Sequence, residues 1–117
     1  MDKEKLINLS YLTEIAGDEP AVMKEFIGLF LEQITEFRND LQTCLRNRQW
    51  EELGKAAHKA KSSVMTFGMN DLGLLLKRIQ LSTQEGGDVN TCSGDVAQFI
   101  RIIGLAEEEL QQELLKL

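Results

Sequence analysis

From Val22 to Leu45 apolar side chains recur every three or four residues, with Val22, Phe26, Phe30, Ile34, Phe37, Leu41 and Leu45 forming one stripe. A stripe of that length fixes a helix of about seven turns with a single buried face, and such a helix needs partners of similar length. The rest of the chain supplies them. Residues 9–16 fit a short helix that starts near Asn8 or Ser10 and stops at Gly17. Asp18, with Pro20 just inside, reads as the opening of the long second helix, which runs to about residue 47. A third helix spans about Gln49 to Met65 and is broken by Phe67-Gly68. A fourth starts at Asn70 or Asp71, turns Leu72, Leu75, Leu76 and Ile79 inward, and reaches Gly86-Gly87. Residues 86–94 read as loop. Asp95 and Gln98 then resemble a capping box for a last helix carrying Phe99, Ile103, Ala106, Leu110 and Leu114. No segment alternates with the period of a strand. The expected fold is all-α: an antiparallel up-down four-helix bundle with a short additional N-terminal helix, one domain over residues 1–117. Gly28, Gly54, Gly73 and Gly104 fall inside these helices, where close helix contact is the expected reason.

The one histidine of the chain lies on the third helix. At ~100° per residue, Trp50, Leu53, Ala57, Ala60 and Val64 share a narrow arc, and His58 points roughly 130° away from its middle. Lys55, Lys61 and Ser62 lie one turn to either side of it. A solvent-facing imidazole on a rigid helix, flanked by ammonium groups, is placed to take a phosphoryl group. The third and fourth helices fold back at Gly68, which brings Arg78 and Gln80 to the level of His58. An amide there is able to hydrogen-bond a ring nitrogen or a phosphoryl oxygen.

Charge is unevenly spread. Residues 1–40 carry nine acids and four bases, residues 82–117 seven acids and two bases, but residues 41–81 three acids and seven bases. His58 thus sits in the one positive third of a chain of net charge −6. Such a region attracts an anion or an acidic partner surface. Nucleic acid is excluded as a partner by the overall sign and by the lack of aromatics among the bases. No apolar run approaches the ~20 residues that cross a bilayer, so no membrane association is expected. The charged start Met1-Asp2-Lys3-Glu4-Lys5 lacks the apolar stretch of a signal peptide. Cytoplasm is the expected location, and the Met1 start and the tapering Leu114–Leu117 end suggest a free-standing protein. Cys44 reads as a small core residue and Cys92 as part of a Gly-rich loop, a reduced pair rather than a disulfide. One His and no C-x-x-C speak against zinc.

The run His58-Lys59-Ala60-Lys61-Ser62-Ser63, with Gly68 ten positions after the histidine, resembles the signature of histidine-containing phosphotransfer (HPt) domains. That signature is roughly His-x-Leu-Lys-Gly-Ser/Ala with a Gly at the tenth position. Leu9-Ser10-Tyr11-Leu12 with Gly17-Asp18, Phe26-Ile27-Gly28-Leu29-Phe30, Trp50-Glu51-Glu52-Leu53 and Ala57 are also similar to the family. Gln80, 22 positions after His58, matches a Gln that many members place beside the ring. The pattern covers about residues 9–85, and the last helix is expected from the fold. Three positions depart from it. Ala60 replaces Leu, a loss of volume for Met65 or Phe67 to fill; Ser62 replaces a Gly that lets a partner approach; Val64 replaces a small residue and reads as core.

The resemblance implies a phosphorelay carrier that works with response-regulator receiver domains and a hybrid sensor histidine kinase. It implies that His58 attacks an aspartyl phosphate, usually through Nε2, and passes the group to a second receiver. It implies that Lys61 offsets oxygen charge, Gln80 orients the ring, and Lys55 and Lys59 add to the field. Ser62, Met65 and Gly68 then belong to the binding surface, which residues of the first helix such as Ile15 border. The metal and acidic cluster that drive the step belong to the receiver, so no cofactor or metal is expected here, and a monomer suffices. Two other readings compete. One is a non-catalytic helical adaptor with an incidental histidine, which would accept no phosphate from any receiver. The other is a hydrolase or transferase, for which the chain has neither a paired base nor an oxyanion hole.

Overall fold

The computed structural model describes residues 5–117; the charged run before Lys5 lies outside the described residues. All regular structure among the described residues is helical: α1 Ser10–Ala16, α2 Pro20–Arg46, α3 Trp50–Thr66, α4 Asn70–Ser82 and α5 Cys92–Lys116, with a 3₁₀ turn at Val89–Thr91. Helix α2 packs on α3 and α5, α4 packs on the same two, and α1 lies against α2. Among the described residues no helix is long and apolar enough to cross a membrane.

The core of α2 is formed by Met23, Ile27, Phe30, Ile34, Phe37 and Leu41. Val22 and Phe26, expected at its centre, are half-buried flanks. Helix α3 buries Leu53, Ala57, Ala60 and Val64, as its periodicity implies, and α4 buries Leu72, Leu75, Leu76 and Ile79. Ala60 lacks the bulk of a Leu at its position. Phe67 lies in this core, stacked on Phe30 with ring centroids 4.0 Å apart, whereas Met65 is exposed.

The helix ends depart from expectation in three places. Asp18 does not cap α2: it adopts a left-handed conformation (φ 63°) in the turn, and Glu19 precedes Pro20, which stands at the first helical position. Helix α4 stops at Ser82, short of Gly86-Gly87, where Thr83 Oγ1 donates to Gln80 O at 2.7 Å. Asp95 is no cap either. Helix α5 starts at Cys92, because Cys92 shares a buried face with Val96 and Phe99, and Cys92 is therefore a core residue instead of a loop residue. Burial, followed by Asp95 and Asp88 nearby, pushes its thiol above the usual range; both cysteines are free.

The end of α3 is closed by a six-to-one bond, Met69 N to Val64 O, and a five-to-two bond, Gly68 N to Met65 O, both 3.0 Å. Gly68 takes the left-handed conformation this closure needs (φ 78°), and Asn8 packs against the space where a Cβ would stand. Asn8 N donates to Phe67 O at 2.9 Å. The strap before α1 is pinned further by α5: Glu109 Oε1 accepts from Leu6 N at 2.9 Å, and Glu113 pairs with Lys5 Nζ at 2.7 Å.

Candidate functional site

The alignment of α3 with α4 determines what surrounds the histidine. The two helices run in opposite directions, since Met65 lies over Gly73 near the turn and Gly54 meets Thr83 at the far end. His58 and Gln80 fall between these contacts. The imidazole is exposed, and its Nδ1 lies 3.4 Å from Gln80 Oε1, while Gln80 itself is half-buried. A carbonyl oxygen only accepts, so the contact is a hydrogen bond when Nδ1 carries the proton. In that tautomer Nε2 keeps its lone pair, and it has no hydrogen-bond partner among the described residues.

An open cleft of about 310 Å³ borders the ring, lined by Glu51, Gly54, Lys55, His58, Gln80, Thr83 and Gln84. Larger hollows lie along the Lys5–Leu9 strap, away from the histidine. The basic residues of this region are not equivalent. Lys55 Nζ lies 3.6 Å from both Glu51 and Glu52, so its charge is largely offset. Arg78, expected at the level of the ring, is drawn to α5, where its guanidinium bonds both oxygens of Asp95. Lys59 and Lys61 have no carboxylate partner among the described residues. The Lys61 stem passes beside Gly73, with its Cγ 3.9 Å from where a Cβ there would stand.

Ser62 and Met65 are exposed and share a shallow hollow with Tyr11 of α1, Thr66 and Asn70. Ile15 is exposed on α1. Gly68 stands apart from His58, at the α3–α4 turn against Asn8, where its left-handed backbone closes α3, and it lines the same hollow as Ser62 and Met65. The structure thus brings Gln80 and Lys55 to the His58 cleft, leaves Lys61, one turn further along α3, outside its lining and near Gly73, and gathers Ser62, Met65 and Gly68 around the hollow beside α1. Thr83 and Gln84 line the cleft but were not legible as neighbours, because the sequence signal for α4 ran past its real end.

An outward ring with one nitrogen engaged and the other free, on a wall with no enclosing pocket, suits a group handed over by another molecule. The chain belongs to the Hpt domain family: the model of that family matches residues 25–116. The match continues through α5, beyond the quoted motifs, and leaves α1 outside. Membership makes this a phosphotransfer module of two-component phosphorelays, a family whose members act with receiver and kinase domains. Comparison with curated proteins and with solved structures gives no match.

Proposed function

We propose that His58 accepts a phosphoryl group from the aspartyl phosphate of a receiver domain and delivers it to the aspartate of another. The carrying observation is the solvent-exposed ring held through Nδ1 by Gln80, which leaves Nε2 as the nucleophile. The Nε2 lone pair forms the N–P bond as the acyl phosphate P–O bond breaks, and the aspartate leaves as a carboxylate. The ring becomes a cation on transfer, and Gln80 Oε1 continues to accept from Nδ1–H, which favours that charged product. Lys61 offsets charge on the phosphoryl oxygens. Lys59 adds to the local field, and Lys55, already paired, adds less. The receiver supplies the metal and the acidic residues, so this chain acts as a carrier and not as a self-sufficient enzyme.

Docking uses the patch of Ser62, Met65, Tyr11 and Ile15 beside the ring, with Ser62 as the small polar stand-in for a glycine. A hybrid sensor kinase is the source of phosphate in this scheme, and the carrier works as a cytoplasmic monomer. The supporting frame is an antiparallel up-down bundle of α2 to α5 with α1 across it, a single domain over residues 1–117. That arrangement is favoured by the ring of contacts joining α2, α3, α4 and α5.

The test is transfer from a receiver domain loaded with acetyl phosphate. Wild type is expected to gain an acid-labile, base-stable phosphate, and His58→Gln to gain none while melting at the same temperature. Transfer that survives His58→Gln overturns the assignment, and no transfer from any receiver in a panel favours the adaptor reading.

A further inference from the structure

Gly54 lies one turn before His58 on α3, and Thr83 lies one turn after Gln80 at the end of α4. The two touch. A methyl group at Gly54 would overlap Thr83 Oγ1, yet would meet Thr83 Cβ at 3.6 Å and Gln80 O at 3.8 Å, both ordinary contacts. The threonine hydroxyl therefore occupies the volume of a missing side chain. It also closes the helix: Oγ1 donates to Gln80 O at 2.7 Å, and Thr83 N reaches the same oxygen at 3.2 Å. Helix α4 ends at Ser82, so the carbonyl of Gln80 has lost its regular partner in the next turn. Thr83 replaces that partner twice over.

The consequence reaches the ring. At 3.4 Å the contact between Gln80 Oε1 and His58 Nδ1 sits at the long end of useful hydrogen bonds, so a small outward movement of this turn ends it. We propose that Thr83, seated in the notch left by Gly54, is a positioning residue that holds Gln80 in reach of His58 and thereby selects the Nδ1–H tautomer. The inference rests on the reading of His58 as the phosphoacceptor. It adds a pair of residues, Gly54 on α3 and Thr83 just past the end of α4, that line the cleft beside the ring without bonding to it.

The single histidine makes the test direct, because ¹⁵N-histidine labelling of the full chain reports one imidazole. Ring nitrogen shifts, phosphoryl uptake from a loaded receiver and melting temperature are measured for wild type, Thr83→Val, Thr83→Ser, Gly54→Ala, Thr83→Ala and the Gly54→Ala/Thr83→Ala pair, with Gln80→Ala as the reference for a released ring. Thr83→Val and Gly54→Ala are expected to move the ring shifts to the Gln80→Ala values and to slow uptake about three- to tenfold, the worth of one hydrogen bond. Thr83→Ser keeps the hydroxyl and is expected to match wild type. Gly54→Ala is expected to add no further loss to Thr83→Ala, since the methyl then has room. If Thr83→Val lowers only the melting temperature and leaves ring shifts and uptake at wild-type values, Thr83 is structural and the proposal is overturned. An additive loss in the double variant overturns the notch. Ring shifts that respond as expected in a protein that takes no phosphate uphold the positioning pair and refute the carrier role instead.

Discussion

Arg78 and Asp95 join α4 to α5 by two parallel hydrogen bonds, Nε to Oδ2 at 3.0 Å and Nη2 to Oδ1 at 2.8 Å. The pair is lopsided: the arginine side chain is 60% exposed, the aspartate only 11%. Losing the arginine therefore strands a largely buried carboxylate, whereas losing the carboxylate frees an arginine that water readily solvates. Arg78→Met is expected to lower the urea midpoint more than Asp95→Asn does. Neither is expected to change phosphoryl uptake, as Arg78 points away from the ring. Equal destabilisation by the two variants, or loss of uptake in Arg78→Met, would contradict this arrangement.

Lys61 and Lys55 flank the same histidine but differ in what offsets them. Lys61→Ala is expected to slow uptake by about tenfold, less than the loss of an enclosed oxyanion donor because the site is open to water. Lys55→Ala removes a charge already shared between Glu51 and Glu52 and is expected to change the rate less than about twofold. Single-turnover transfer measured at low and high salt separates the two, with the Lys61 effect shrinking as salt rises.

Phe67 is buried in the core and stacks on Phe30 with ring centroids 4.0 Å apart. Phe67→Ala is expected to cost about 3–5 kcal/mol in urea denaturation, the usual range for an aromatic removed from a packed core. Met65→Ala, on an exposed side chain, is expected to cost far less and to weaken receiver binding instead.

The strap carries a pH dependence of known sign. The hydrogen bond from Lys5, with Lys116 adding to it, holds the Glu113 carboxyl below the usual carboxylate range against the opposing effect of burial. A depressed folded-state value means that this contribution is complete above the ordinary carboxylate range and is lost as pH falls through the lowered value. Glu109, the neighbouring acid, holds Leu6 N from the same helix. Glu113→Gln is expected to reduce stability at pH 7 and to flatten its decline between about pH 5 and pH 3, read from urea midpoints across that range. An unchanged acid limb would contradict the pairing.

The helices and the direction of His58 were readable because each rests on one repeating signal, the inward stripe of Leu53, Ala57, Ala60 and Val64. The level of Gln80 follows from its distance to Gly68, because that glycine fixes where the two helices fold back. The helix ends that depart from the local pattern do so for one reason. Asp18 and Asp95 carry the chemistry of helix caps, but a left-handed turn claims the first and an arginine on another helix claims the second. Gly86-Gly87 looked like the stop of α4, while the stop is set by Thr83 bonding back to Gln80. Tertiary partners decided these positions, and no local pattern encodes a partner distant in sequence. The same holds for Arg78, which had the right height but was already engaged.

Lys5 and Glu113 meet at the pole of the molecule where α3 turns into α4, roughly 15 Å of helix beyond His58. The first described residue and the last turns of α5 thus share one pole, and His58 faces out from the flank. Tying both of these segments down at one end leaves the flank that carries His58 uncovered by either.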